Sequence, residues 1–519
     1  GMNASDIRLD KAGKLLAFLA QDADPTHKAI WLYKAGEEKA ALLMNDQAPA
    51  MPENMELDGI DGFSKDGGKL FLQIKQKPAV QKKAPGMASV NIWSYKDPKI
   101  QSQQLFELKL FSPSYLAVMS VATPGRVQPL QGRYESVNGR TDDRVLLTYR
   151  EGEASENYWN QAAAGSTVLI DVYREQKKDI PVSSAVFSPG GKYIAENSTT
   201  AAGDDNLYVY EIATHITRNI TANIPDENDI SLTKENKGFT LAGWLPEDSA
   251  LLVYDSYDIW RVDPAGKKAP INVTNGRSAQ WQFRLTLENV FSNHVIRPGR
   301  PWLLKGFNKA TKESGFYQIT YGSPDPPELL CKGNYMFDRF STPRGSNYFL
   351  KARDADVYLV KREQADQSPN LLSTTDFKHF RPVSQVYPEK SVNWLTSELV
   401  HFKTLDGVSA QAILYKPENF DASKKYPMLI LYYEKKSDEL NKYRHPIVEN
   451  GGELDIAWFT SHGYLVLLPD IYYKTGEPGP SAYRSVVGAA QYMAQRPYVD
   501  KNRMGIQGHS FGGYETNYL

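Results

Sequence analysis

Met504-Gly505-Ile506-Gln507-Gly508-His509-Ser510-Phe511-Gly512-Gly513-Tyr514 reads as a short apolar strand, a sharp turn and the opening of a helix. The turn has the form G-x-S-x-G. In that geometry a serine sits on a strained strand-to-helix bend with its Oγ exposed above a parallel sheet. Gly508 and Gly512 flank it where a Cβ would collide with the neighbouring strand or helix. The N-terminus of the new helix points back at the serine, so backbone N–H groups and the helix dipole favour a developing oxyanion there. Ser510 is therefore the candidate nucleophile. The turn-like Pro497-Tyr498-Val499-Asp500-Lys501-Asn502 precedes the strand, and a second glycine and an aromatic follow the bend.

Working outward, the 519 residues suffice for two to four domains. Hydrophobic residues make up 41% and charged residues 23%, an ordinary balance for a globular chain. A net charge of −1 gives no electrostatic case for nucleic acid or an anionic membrane. The 31 Tyr, 9 Trp, 37 Gly and 31 Pro favour β structure with many turns. The single cysteine, Cys331, excludes an intramolecular disulfide and a cysteine-based zinc site, and reads as a small buried residue. No motif asks for a metal or a cofactor.

No apolar run reaches the length of a membrane span. Leu15-Leu16-Ala17-Phe18-Leu19-Ala20 is too short for a signal h-region and alternates into a strand. The expected compartment is periplasmic or secreted if a leader once preceded the chain, and cytoplasmic otherwise.

From Ser5 to about Asp376 one sub-motif recurs: an apolar residue, a small polar turn, then an alternating strand. It stands at Leu9–Phe18, Phe63–Leu72 and Phe187–Ala195, with looser copies at Trp244–Val253 and Phe340–Leu350. Asp, Pro and Gly fix the turn of each hairpin. A second aromatic strand follows each copy: Ile30–Tyr33, Ile92–Tyr95, Leu207–Tyr210, Ile259–Val262 and Val357–Val360. Val168–Tyr173 and Phe316–Ile319 extend the series without a clear turn motif. The result is about seven units spaced by roughly 40 to 75 residues, the range of propeller blades. A blade cannot bury both faces alone, whereas a ring of blades can. The Trp and Tyr residues are expected in packing between blades. Glu151–Asn160, acidic with aromatics, reads as a solvated loop.

Near Asp376 the pattern changes. Ser397–Tyr415 reads as a strand, an Asp406-Gly407 turn and a second strand. Tyr426–Tyr433 is a continuous apolar run of the kind found in a strand buried on both faces, and Tyr464–Pro469 is another. A helix is expected at about Asp455 to His462 and another at about Ser481 to Gln495, the latter with Val486, Val487, Ala490 and Met493 on one face. Strands alternating with helices argue for a parallel sheet.

With these pieces in place, the sequence resembles the prolyl oligopeptidase family of serine peptidases. The likeness covers nearly the whole chain and rests most on Gly508-His509-Ser510-Phe511-Gly512-Gly513-Tyr514 following Tyr426-Pro427-Met428-Leu429-Ile430 and Tyr464-Leu465-Val466-Leu467-Leu468-Pro469-Asp470. It implies an all-β propeller over 5–376 and an incomplete α/β-hydrolase domain over 377–519. It implies Ser510 as nucleophile, the Phe511 N–H as one oxyanion donor and the Tyr433 hydroxyl as the other. A strand-end packing role is the competing reading of Tyr433, and Glu434-Lys435-Lys436 replaces the Gly-Pro or Gly-Gly usual after that tyrosine.

In α/β-hydrolases the order is Ser, then Asp or Glu, then His. His401, His445 and His462 precede the elbow, and His509 should point away from Oγ. Asp470 is expected as a loop anchor rather than a triad acid. The expectation is thus a truncated family member lacking its triad Asp and His, inactive alone, with a sheet edge open beyond the Ser510 strand. A homo-oligomer or a complementing chain would cover that edge. Short peptides are the expected substrates. The alternatives are a non-catalytic propeller or pseudo-enzyme that only binds, and an esterase or acylpeptide hydrolase on the same scaffold.

Overall fold

The turn chemistry of the repeat sets the architecture. Asp10, Ser64 and Ser188 occupy equivalent positions. The N–H of each donates across the turn to the carbonyl of Leu15, Lys69 or Tyr193, at 2.9, 2.9 and 2.8 Å. Three residues on, Gly13, Gly67 and Gly191 donate back to the carbonyls of those same residues, with φ near +70° in all three. Only glycine adopts that conformation without strain. Side-chain oxygens complete the turn: Asp10 Oδ1 accepts from the N–H of Lys14 and Leu15, and Ser64 Oγ from that of Lys69.

This computed structural model describes residues 3–21, 28–45, 48, 51–77, 93–95, 100–110, 114–132, 135–141, 143–149, 166–182, 185–199, 205–225, 238–286, 295–296, 299, 301–342, 345–446, 454–474 and 476–519. The acidic stretch Glu151–Asn160 lies outside them. The chain divides into two compact units, Gly1–Ser198 with Tyr208–Arg218, and Thr199–Leu207 with Asn219–Leu519.

The first unit holds three four-stranded antiparallel meanders. The first runs Asn3–Leu9, Leu15–Gln21, Lys28–Lys34, Ala41–Asn45. The second runs Met55–Phe63, Lys69–Gln76, Ser114–Ser120, Val127–Pro129, and the third Glu135–Arg140, Arg144–Tyr149, Ser166–Asp171, Gln176–Ile180. Alternate residues of facing sheets interlock: Ala17, Ile30 and Leu32 of the first pack with Leu57, Leu70, Leu72 and Ile74 of the second. The opposite face of the second, through Phe71, Leu116 and Val118, packs on Val145, Leu147 and Ile170 of the third. The second sheet is therefore buried on both faces.

The second meander departs from the sequence expectation. Trp93 and Ser94 are irregular and Tyr95 is an exposed turn residue, while Ile92 lies outside the described residues. The third strand is instead Ser114–Ser120, reached through an inserted helix, Gln101–Leu110. Its five central residues, Tyr115 to Met119, are all buried. That run offers more apolar surface to the pairing with Lys69–Gln76 than Ile92-Trp93-Ser94-Tyr95 does.

The division between the units falls within a fourth meander, Ala185–Phe187, Tyr193–Thr199, Asp205–Glu211, Ile216–Asn219. The second unit continues with a fifth, Thr240–Trp244 to Ile271–Asn272, and a sixth, Trp281–Leu285 to Glu328–Gly333. A seventh is built on Tyr358–Gln364 and Gln367–Thr374. In the seventh, Phe340–Thr342 and Gly345–Asn347 form a separate small hairpin, and Arg381–Pro382 pairs back on Gln367–Thr374 past position 376.

A five-stranded mixed sheet follows, in the order Leu395–Lys403, Ser409–Pro417, Leu465–Pro469, Tyr426–Leu431, Val499–Gln507. The first pair is an antiparallel hairpin, and the last three strands run parallel. All five residues of Leu465–Pro469 are buried, as a central parallel strand requires. Helix Ile456–Ser461 packs on one face, with Asp455 as its N-cap. On the other lies helix Pro478–Ala494, which starts earlier than its apolar pattern suggests because Pro sits in its first turn. Its buried stripe is Ala482, Val486, Ala489 and Met493, with Val487 and Ala490 at the margin. The fold class is thus all-β propeller-type blade repeats followed by an α/β-hydrolase-type sheet. Among the described residues no helix is long and apolar enough to cross a membrane.

Candidate active site

Strand Val499–Gln507 runs parallel to Tyr426–Leu431, with Leu431 opposite Gln507, so both end at the same rim of the sheet. The chain then turns through Gly508, His509 and Ser510 into helix Phe511–Tyr518. Ser510 has φ 56° and ψ −118°, a conformation that costs a non-glycine residue about 1–3 kcal/mol and persists only where its surroundings enforce it.

The enforcement can be traced atom by atom. A Cβ on Gly508 would lie 2.0 Å from the Gly512 carbonyl oxygen and 2.6 Å from Thr516 Oγ1. One on Gly512 would lie 2.7 Å from the Tyr432 carbonyl oxygen. The helix therefore sits against two stretches of backbone that admit no side chain. Thr516 Oγ1 donates to the Gly512 carbonyl and is bonded to the Tyr432 hydroxyl, both at 2.8 Å, which pins the helix to the strand rim. The Ser510 carbonyl accepts from the N–H of Gly513 at 2.9 Å, while its side chain makes no capping bond and is exposed. The Phe511 N–H is the first of the helix and has no intrahelical acceptor.

Two adjacent tyrosines end the neighbouring strand, and they part company. Tyr432 is buried, its hydroxyl committed to Thr516. Tyr433 is 37% exposed, and its ring edge comes within 3.7 Å of a Cβ position on Gly512. The loop after it is tied down at three points. Asp470, buried at the end of Leu465–Pro469, accepts from the N–H of Lys436 and Ser437 and from Ser437 Oγ, at 2.7, 2.8 and 2.5 Å. The Ile471 N–H donates to the Glu434 carbonyl, and the Tyr473 hydroxyl to the Tyr433 carbonyl. Burial pushes the Asp470 carboxyl up against the lowering effect of those bonds. Its contacts are those of a loop anchor. They also show how Glu434-Lys435-Lys436 follow Tyr433 without a glycine.

Sequence reasoning missed Tyr473 and Glu515. Glu515, on the nucleophile helix, is fully buried, and its Oε1 meets the Tyr473 hydroxyl. Burial pushes its carboxyl up to about 7, opposed by the Tyr473 bond. The same burial, with Glu515 beside it, raises the Tyr473 phenol well above its ordinary range. A chain of contacts thus joins the helix of Ser510 to the backbone of Tyr433. The pair lies 42 residues apart in sequence, and no local pattern marks it.

Of the histidines expected before the elbow, His401 and His462 are engaged elsewhere. His401 meets Gln411 Nε2 at 3.3 Å, and His462 Nδ1 contacts the Trp458 carbonyl while its ring stacks on Trp458. His445 packs edge-on against Tyr443. With His509 and Tyr433 it lines a cavity of about 210 Å³, which also takes in Lys436, Lys442 and Arg444.

Residues 454–519 match the prolyl oligopeptidase family profile, so the chain carries that family's domain at the nucleophile end. A probable dipeptidyl-aminopeptidase B of Talaromyces marneffei is 22% identical over 95% of this chain and 55% of its own length. A probable dipeptidyl-aminopeptidase B of Ajellomyces capsulatus is 30% identical over 24% of this chain and 14% of its own. The chain therefore spans about half the length of the first of these curated relatives. Among solved structures, a post-proline cleaving enzyme from Rickettsia typhi aligns over 99% of this chain and 72% of its own, at 10% identity and a TM-score of 0.49.

Proposed function

We propose that this chain, bearing the prolyl oligopeptidase family domain, is the blade-repeat and nucleophile-bearing part of a serine peptidase that hydrolyses short peptides. The observation that carries this reading is the Ser510 bend: an exposed hydroxyl, free of capping duty, in a backbone conformation that two side-chain-free contacts enforce. Ser510 Oγ attacks the scissile carbonyl to give an acyl-enzyme. The Phe511 N–H and the Tyr433 hydroxyl hold the oxyanion, and losing one such donor typically costs about 10²–10³ in turnover. The division of labour follows 5–376 as blade repeat and 377–519 as catalytic part.

The general base and its carboxylate partner are assigned to no residue of this chain. On that ground we propose that the chain by itself turns over slowly or not at all. A second polypeptide segment, from another copy or a complementing chain, is proposed on the open edge of Val499–Gln507, the outermost strand of its sheet among the described residues. The dipeptidyl-aminopeptidase relatives support amino-terminal dipeptides as the released product.

The test assays the natural protein containing this chain on peptides with proline, alanine or an acidic residue at the cleaved position, beside simple esters. Peptide hydrolysis that disappears in Ser510→Ala supports the reading. Ester cleavage without peptide cleavage favours the esterase alternative, and no turnover of either favours a binding role.

A further inference from the structure

Beside Ser510 lies the cavity of about 210 Å³ that Tyr433 and His509 border. We propose that it receives a carboxylate of the substrate peptide, with Lys436 as the group that selects it. The carboxylate is that of an acidic side chain near the scissile bond or the free C-terminus of a short peptide. This inference rests on Ser510 being the nucleophile, since that is what brings a peptide to the cavity.

The lining is divided by chemistry. Leu454, Ile456 and Leu468, all buried, form an apolar wall with the half-buried Leu431. Lys436, Lys442, Arg444 and His445 stand with His509 around the rest. Asp455 is the one carboxylate among the described lining residues, and its Oδ1 accepts from the Trp458 N–H at 3.0 Å as the cap of helix Ile456–Ser461. The volume is about seven times a water molecule's share of the liquid, room for a single side chain or terminal residue.

Two of the three fixed cations are already engaged. Glu439, off the lining, sits 2.9 Å from Arg444 and 3.7 Å from Lys442. Burial alone would raise the Glu439 carboxyl, but Arg444, Lys442 and then Lys436 hold it below its ordinary range. Lys436 differs from the other two. Its ammonium has no ion pair among the described residues, and it lies 5.9 Å from the centroid of the Tyr433 ring. Setting Asp455 and Glu439 against Lys436, Lys442 and Arg444 leaves one positive charge in excess among these residues. The rings of His445 and His509 are exposed and make no hydrogen bond among the described residues, so each has an N–H to offer an anion.

The backbone holds that ammonium's position before any ligand arrives. Asp470 accepts from the Lys436 N–H at 2.7 Å and from both the N–H and the hydroxyl of Ser437. The Lys436 side chain takes no part in this anchor and is left to the cavity. A chain fixed in this way loses less freedom on binding, so more of the charge attraction appears as affinity. The run Glu434-Lys435-Lys436, which stands where a glycine pair was expected, thereby places a cation three residues past Tyr433.

Calorimetry at low salt on the Ser510→Ala variant of the natural protein containing this chain reads binding without turnover. One probe pair is trialanine and its C-terminal amide. The other pairs are trialanine amides carrying glutamate or glutamine at the second or third position. At least one carboxylate probe should bind about fivefold or more tighter than its uncharged twin. Adding Lys436→Met should bring that ratio to about twofold or less, whereas Lys436→Arg should keep most of it. Lys436→Gln replaces Lys436→Met should the latter fold poorly. Preference for trialanine over its amide assigns the C-terminus, and preference for glutamate over glutamine assigns a side chain. Equal affinities within every pair, no binding of any probe, or a ratio unchanged in folded Lys436→Met or Lys436→Gln overturns the assignment. Loss of the catalytic reading is separable: with Ser510 intact, a protein that shows the ratio and cleaves no peptide supports the carboxylate site and removes the peptidase, while cleavage with no carboxylate preference removes the site alone.

Discussion

The Tyr473 hydroxyl donates to the backbone carbonyl of Tyr433 across 2.8 Å. Its other neighbour is the Glu515 carboxyl, so a single phenol serves the strand rim and the nucleophile helix at once. A hydroxyl has one proton to give. With Glu515 protonated, Glu515 Oε1 and the Tyr433 carbonyl are both served by the Tyr473 hydroxyl, while Glu515 Oε2 has no hydrogen-bond partner among the described residues. With Glu515 ionised, the carboxylate competes for the same proton.

Tyr473→Phe should therefore loosen Tyr433 and strand a buried carboxyl, at a cost of about 1–3 kcal/mol in stability. Glu515→Gln should behave oppositely at neutral pH. The native carboxyl ionises at about 7, above its ordinary 4.5. The folded state thus binds the extra proton between those values, and stability falls as pH rises through that window. The stability of Glu515→Gln relative to the parent should climb from pH 4.5 to 7 and then level off. Urea titrations across that range read the difference, and a flat difference would refute it.

The glycines of the bend should differ sharply. Gly508→Ala places a methyl 2.0 Å from a backbone oxygen, and Gly512→Ala places one 2.7 Å from another, neither of which can rotate away. Each should cost at least about 1–3 kcal/mol. Gly513→Ala meets nothing closer than 3.6 Å at a helical position, and should be neutral or slightly stabilising. Thermal melts of the three variants rank them.

Asp438 joins two parts of the second unit. It pairs with Lys309 at 2.7 Å and with the buried Lys312 at 2.9 Å, both on the hairpin between strands Trp302–Asn308 and Ser314–Ile319. Burial alone would raise its carboxyl, but the two lysines hold it at about 2, below the ordinary 3.8. Its contribution is present above about pH 4 and is lost as pH falls through about 2. Because Asp438 is 38% exposed, solvent screens part of that. Asp438→Asn should cost about 1–3 kcal/mol at pH 7, and the gap to the parent should close toward pH 2.

Much of this was legible in the sequence. The Asp10/Gly13, Ser64/Gly67 and Ser188/Gly191 turns are local, so spacing alone identifies them. The Ser510 bend is local too, since Gly508 and Gly512 act on each other within one turn. What escaped depends on distant groups. Helix Gln101–Leu110 lacks a segregated apolar face that a periodic reading could catch. Tyr432 and Tyr433 are chemically identical until Thr516 claims one of them, 84 residues later. The hold of Asp470 on Lys436 and Ser437 spans more than thirty positions and has no sequence signature.

Lys305 is a cation in the wrong solvent. It is buried among Phe316, Phe337 and Tyr348, with the Gly306 carbonyl and Ser314 Oγ as its hydrogen-bond partners among the described residues. Burial drops its ammonium from 10.5 to about 7. The unfolded chain binds that proton more tightly between those values, so the penalty is complete below about pH 7 and vanishes toward 10.5. Lys305→Met should raise the melting temperature at neutral pH by about 1–2 °C for each kcal/mol regained, with the gain shrinking as pH rises. A gain independent of pH would point to packing instead.

The central claim is that the bend at Ser510 presents a nucleophile, and covalent labelling reads it most directly. The natural protein containing this chain is treated with a fluorophosphonate, and the modified peptide is located by mass spectrometry. The expected result is a single adduct on Ser510, absent from Ser510→Ala, and slowed about tenfold or more in Tyr433→Phe as an oxyanion donor is lost. A folded protein that takes no label at Ser510, or takes it at another residue with Ser510→Ala unaffected, would contradict the account.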